Sequence, residues 1–201
     1  MVPAAAMSYS VWLKPPQPLH AAVARLIDTH AAQLGTPAFV PHVTLLGGIA
    51  CDTEVRGSCT AVSLHVHLTL PRQATALRLT QQLAAQLKPL ARPTCRAARM
   101  EAGSIYYQCV YIRQHDDLAL TAWHETARAV FETPAAAGSC FMPHMSVVYG
   151  DLTAEEKERH VEAVEAALKD VDTTFTPGTL ALWRTPAGLT DTWTEIAQFD
   201  V

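Results

Sequence analysis

The sequence predicts an α+β fold built from two similar lobes. Two observations carry that prediction. Helical and strand-like stretches alternate along the chain, and one eight-residue frame occurs twice. The first copy is Phe39-Val40-Pro41-His42-Val43-Thr44-Leu45-Leu46 and the second is Phe141-Met142-Pro143-His144-Met145-Ser146-Val147-Val148. Both read Phe, hydrophobic, Pro, His, hydrophobic, hydroxyl, hydrophobic, hydrophobic, and each follows a helical stretch. A weak internal duplication, with one motif strand per lobe, explains the repeat.

The elements follow in order. Residues 8–13 (Ser-Tyr-Ser-Val-Trp-Leu) form a strand closed by Pro15-Pro16. Leu19, Val23, Leu26, Ile27 and Leu34 recur at helical spacing over 18–34, and Gly35 stops that helix. Residues 39–46 form a β-rich run ending at Gly47-Gly48. Residues 73–88 form a helix with Leu77, Leu83 and Leu87 on one side, broken at Pro89. Residues 94–101 and 105–113 pair as strands around Glu101-Ala102-Gly103-Ser104. A helix over 116–131 leads to the second motif strand, 141–149. Thr153 and Glu156 have the spacing of a capping box, opening a helix that runs to about residue 169. Strands over 178–184 and 192–199 close the chain.

A chain of 201 residues is long enough to bury a core as a single domain. No apolar run reaches the roughly 18 residues that cross a bilayer. Met1 to Met7 lack a basic region and a long apolar one, so no secretory signal is expected, and Met7 is a candidate second start. The cysteines are Cys51, Cys59, Cys95, Cys109 and Cys140, an odd number with no C-x-x-C pair. That argues against a zinc ribbon or a thioredoxin motif, and reduced thiols in the cytoplasm are the default expectation. The net charge of −4 argues against a long nucleic-acid partner, because Arg92, Arg96 and Arg99 are the one small basic cluster.

The bare pattern His-x-Ser/Thr is weak. With 28 Ser and Thr and nine His in the chain, about one hit is expected by chance, and four occur. His124/Thr126 lies in a helical stretch, where residues i and i+2 diverge. His67/Thr69 has no preceding proline. His42/Thr44 and His144/Ser146 share the long frame. On a strand, residues i and i+2 face one side, so each His and its hydroxyl point together into a cleft. Val43, Leu45, Met145 and Val147 then point into the core.

This frame resembles the 2H phosphoesterase superfamily, and within it the cyclic phosphodiesterase family of plants and fungi. Tyr9-Ser10-Val11-Trp12 is similar to that family's first strand, and Tyr106-Tyr107-Gln108-Cys109-Val110 to its aromatic central strand. Phe141 to Tyr149 with the helix after it resembles the second motif region. The resemblance implies two α+β lobes whose antiparallel sheets enclose a central cleft. It implies hydrolysis of ADP-ribose 1″,2″-cyclic phosphate and of nucleoside 2′,3′-cyclic phosphates, the former arising downstream of tRNA splicing. It implies His42 and His144 as catalytic residues, Thr44 and Ser146 as phosphate binders, and Tyr149 near the substrate. Trp12 and Tyr107 are candidates to stack on a base or line the cleft. No metal or organic cofactor is expected, and the chain is expected to act as a monomer on a small nucleotide, away from membranes. Against the family pattern, 49–70 reads as an insertion within a single bilobal domain of residues 1–201, or as a gene-model error.

The chemistry follows from the residue types. Ring opening needs one imidazole to take a proton from water and one to give a proton to the leaving oxygen. His144 is the expected base and His42 the expected acid. Three rivals stand beside this reading: a 2′–5′ RNA ligase or RNA-end phosphodiesterase, a non-catalytic nucleotide-binding module, and a metal hydrolase using His42, His65 and His67.

Overall fold

A computed structural model describes residues 8–51, 72–134, 140–188 and 190–201. Among the described residues, seven strands form one antiparallel sheet: β1 (Tyr9–Leu13), β2 (Val43–Ile49), β3 (Ala97–Ala102), β4 (Val110–Gln114), β5 (His144–Val148), β6 (Thr179–Arg184) and β7 (Thr194–Asp200). Their order is β3-β4-β5-β2-β1-β6-β7. The described residues also form four α-helices: α1 (Leu19–Leu34), α2 (Arg72–Leu87), α3 (Leu118–Val130) and α4 (Ala154–Leu168). The α+β class and antiparallel pairing agree with the sequence-based expectation.

Period-2 alternation separates the two faces of the sheet. Tyr9, Val11 and Leu13 of β1, Met145 and Val147 of β5, and Leu180 and Leu182 of β6 enter the main core with the apolar faces of the helices. Ser10, Trp12, His144, Ser146, Ala181 and Trp183 alternate with them and occupy the other face. Helices α1 and α4 lie over β5, β4 and β3, whereas α2 and α3 lie over β2, β6 and β7. The helix before each motif strand therefore packs beneath the other half, which is how the duplication folds.

The two halves join at the motif strands. The seam between β2 and β5 is registered by a single antiparallel pair, Val43 opposite Met145. On that register His42 lies opposite Ser146, and Thr44 opposite His144. Each histidine thus neighbours the other motif's hydroxyl, about a local two-fold through the central pair.

Three boundaries differ from expectation. β2 starts at Val43, because Pro41 carries no N–H for a ladder, and it continues through Gly47 and Gly48 to Ile49, whose side chain is buried. Ile49, assigned to an insertion, is therefore part of the sheet. Tyr106–Gln108 is one turn of 3₁₀ helix and not strand. It folds so tightly that a Cβ on Gly103 would lie 2.0 Å from the Gln108 carbonyl oxygen, which reserves that position for glycine. Cys51, also assigned to the insertion, is buried in the main core, whereas residues 52–70, with Cys59, His65 and His67, lie outside the described residues.

Helix ends are set as the sequence indicates. Gly35 adopts a left-handed φ of 64° and donates its N–H to Ala31, closing α1. Thr153 and Glu156 form the capping box of α4 reciprocally, the Glu156 carboxylate accepting from the Thr153 N–H at 2.8 Å. Thr153→Ala should lower unfolding free energy by about 1 kcal/mol, read from the midpoint of a urea titration, while leaving the urea dependence unchanged.

Candidate active site

The two histidines are held by the same local device. The residue before a proline is pushed into extended backbone, and here its carbonyl accepts the histidine's Nδ1–H across the proline. His42 donates to Val40 at 2.6 Å and His144 to Met142 at 2.9 Å. With Nδ1 carrying the bonded proton, Nε2 of each neutral ring is left with a free lone pair. The proline of each frame is thus part of the site.

A cleft of about 390 Å³ opens on the sheet face away from the helices. His42, Thr44, His144, Ser146, Tyr149, Trp12 and Tyr107 all line it. Among the described residues, no lining side chain is an acid, a lysine or an arginine; hydroxyls, amides, imidazoles and aromatic rings make the walls.

Each histidine has its own surroundings. His42 is buried and lies flat against Trp12, with centroids 3.6 Å apart and planes at 8°; Trp183 stacks behind Trp12 at 4.3 Å. Burial pushes the His42 pKa from 6.5 down to about 4; the Val40 carbonyl opposes this, and a charge on His144 adds to it. His144 is half-buried with the Tyr111 ring edge-on at 5.1 Å. Its pKa is also lowered, first by burial and further by Arg113, with the Met142 carbonyl opposing.

The hydroxyl groups differ as well. Ser146 Oγ donates to the Tyr107 carbonyl at 3.0 Å. Burial pushes the Tyr149 pKa well up, so its phenol keeps its proton as a donor. Phe39 of the first frame stacks on Tyr149 at 3.7 Å, crossing the seam. Trp12 is sandwiched behind His42 rather than presented as an open platform for a base. Tyr107 is half-buried on the cleft wall, 5.9 Å from Trp193, and its Oη accepts the Gly188 N–H at 2.8 Å.

Residues not anticipated from sequence complete the walls. Ser10 and Thr185 share a hydrogen bond of 2.9 Å, and Ser8 joins them through the Thr185 carbonyl. Ser8, Ser10 and Trp12 share one strand face, so period 2 was the available signal. Nothing local marked Thr185 or Trp193. Among the described residues, no cluster of three His, Cys, Asp or Glu could hold a metal ion. His65 and His67, the other proposed ligands, lie outside them. No described helix is long and apolar enough to cross a membrane.

A sheet whose motif strands bring His-x-Thr and His-x-Ser to a shared cleft has the arrangement expected of a 2H phosphoesterase. E. coli LigT has the same fold, with a TM-score of 0.50 at 11% identity and 98% of each chain covered. Residues 7–200 match the cyclic phosphodiesterase-like protein family, and the chain belongs to it. It is similar to the cyclic phosphodiesterase of Arabidopsis thaliana, at 24% identity over 192 residues, 94% of this chain and 92% of that protein. Usb1 of Kluyveromyces marxianus aligns over 99% of this chain and 100% of its own, at 7% identity and a TM-score of 0.42. As a member of the cyclic phosphodiesterase-like family, the chain is a phosphodiesterase.

The depressed His42 pKa has a thermodynamic consequence. Its folded value lies below the unfolded one, so the unfolded chain binds the proton first as pH falls. Stability contributed by neutral His42 is complete above about pH 6.5 and is lost progressively down to about pH 4. The loss amounts to roughly 3 kcal/mol from this group. Melting temperature should drop across that window, and His42→Gln should show a shallower decline than the unsubstituted protein.

Proposed function

We propose that the enzyme opens small cyclic phosphate diesters by metal-free acid–base catalysis, with His42 and His144 as the paired catalytic residues. The observation that supports this best is the matched pair of imidazoles, each tied back through Nδ1 with Nε2 free, flanking two hydroxyls in a shared cleft. The substrates are nucleoside 2′,3′-cyclic phosphates, opened to 2′-phosphates, and ADP-ribose 1″,2″-cyclic phosphate, opened to ADP-ribose 1″-phosphate. The Arabidopsis relative and the family favour this over a ligase. The net charge of −4 favours a free nucleotide over long RNA. The enzyme acts as a monomer in the cytoplasm.

In the reaction a water oxygen bonds to phosphorus while the ring P–O bond breaks in line. One Nε2 accepts the water proton and the other Nε2–H gives its proton to the leaving oxygen. Thr44, Ser146 and Tyr149 donate to the nonbridging oxygens, where negative charge grows. Ser146 must turn from the Tyr107 carbonyl to do so. Tyr107 and Trp193 flank the space for the base, and Trp12 holds the His42 ring in plane. His42, with its pKa about 4, is neutral in the free enzyme and serves as base, while His144 serves as acid. This reverses the roles expected from sequence, which would place the working protons on a minor protonation state.

His42→Ala and His144→Ala should each lower kcat about 10²- to 10⁴-fold on uridine 2′,3′-cyclic phosphate, with chelator making no difference. Near-native turnover by either variant would sink the two-histidine mechanism. The wild-type kcat/KM profile should be a bell falling below about pH 4, as His42 takes a proton, and again as His144 loses one at a pH under 6.5. A nitrophenyl diester has a leaving group that needs no acid. His144→Ala should keep turning it over where His42→Ala does not; the opposite result would exchange the two roles.

A further inference from the structure

The third His-x-Thr hit, His124/Thr126, takes no part in the cleft, yet His124 touches both motif frames. From α3 its Nδ1–H donates to the Leu45 carbonyl at 2.7 Å. Its ring lies flat on Phe141, with centroids 4.0 Å apart and planes at 7°. Leu45 follows Thr44 in the first frame; Phe141 opens the second.

Leu45 needs such a partner. In the β1–β2 ladder Trp12 is registered with Thr44 and Val11 with Leu46, so Leu45 is the extra residue of a bulge. On the other side the β2–β5 register does not extend past Val43. A bulge frees backbone groups from the ladder and re-aims neighbouring side chains. Here Leu45 and Leu46 both enter the core directly after Thr44, and the freed carbonyl is the one His124 satisfies. The stack on Phe141 mirrors that of Phe39 on Tyr149: each frame's phenylalanine rests on a ring from the other half.

We propose that His124 is a positioning residue of the active site, clamping the Leu45 bulge to the second frame and so setting Thr44 and His42 against His144. It acts through the backbone and meets no substrate. The proposal goes beyond the substrate reading above and rests only on the two motifs forming the site. A cavity of about 320 Å³, lined by His124, Arg128, Phe141 and Met142, gives small molecules access to the ring.

Three variants test it. His124→Phe keeps a stacking ring and removes the donor, His124→Gln keeps an N–H donor, and His124→Ala leaves a hole. His124→Phe and His124→Ala should lose tenfold or more in kcat at a temperature where both remain folded, with KM changed less than threefold. His124→Gln should retain more activity than His124→Phe. Added imidazole should restore His124→Ala, and N-methylimidazole, which has no N–H when neutral, should not. Independently of any substrate, hydrogen exchange should quicken at residues 43–46 in His124→Phe before it does elsewhere. Activity within twofold of wild type in His124→Phe, equal rescue by the two imidazoles, or unchanged exchange over 43–46 would overturn the proposal. Loss of wild-type turnover on every cyclic phosphate would instead refute the substrate reading, leaving the exchange result to judge His124.

Discussion

One antiparallel contact, Val43 opposite Met145, organises the molecule. It joins two half-sheets that each have their own helices, and it sets the local two-fold about which the motifs face one another. The pairing is short because a proline with no N–H to offer stands immediately before each histidine, Pro41 and Pro143. The seam is therefore held largely by what surrounds it. Core side chains pack from the helix side, where Val43, Leu45 and Met145 are fully buried. Stacked rings meet from the other half, Phe39 on Tyr149 and Phe141 on His124.

Within that arrangement, the prolines and histidines form a unit. The backbone before each proline is extended, its carbonyl takes the imidazole Nδ1–H, and Nε2 is turned to the cleft side of the ring. Symmetry ends at the walls. His42 lies under two stacked tryptophans and loses nearly all its water, whereas His144 sits beside Tyr111 and Arg113. Similar sequences thus produce imidazoles in different surroundings, both with a pKa lowered first by burial.

Much of this was legible in the sequence because periodicity and repetition are local. The alternation of β1 and β5 separated core from cleft, and the repeated frame singled out two of four His-x-Ser/Thr pairs. The capping box and the glycine stop of α1 are signals a few residues long. What escaped depends on distant partners. Trp12 could be read as a cleft residue, but its stack on His42 requires knowing that β1 pairs with β2. Helical periodicity correctly placed His124 off a strand, yet its tie to Leu45 spans elements far apart in the chain. The aromatic run at 106–108 has strand composition, and the close turn at Gly103 folds it into a 3₁₀ helix instead. The strand through Gly47 and Gly48 was missed because paired glycines are ordinarily turn signals.

The uncharged walls of the cleft bear on how a ligand arrives. Clefts lined with lysine or arginine draw anions from a distance, and salt weakens that pull. The described walls here offer hydroxyls, an amide and imidazoles whose pKa values burial lowers, with no fixed charge among them. For a substrate of the kind proposed above, encounter is then governed by diffusion and fit instead of by long-range attraction. The protein gives up speed of capture for a site whose selectivity lies in short-range geometry.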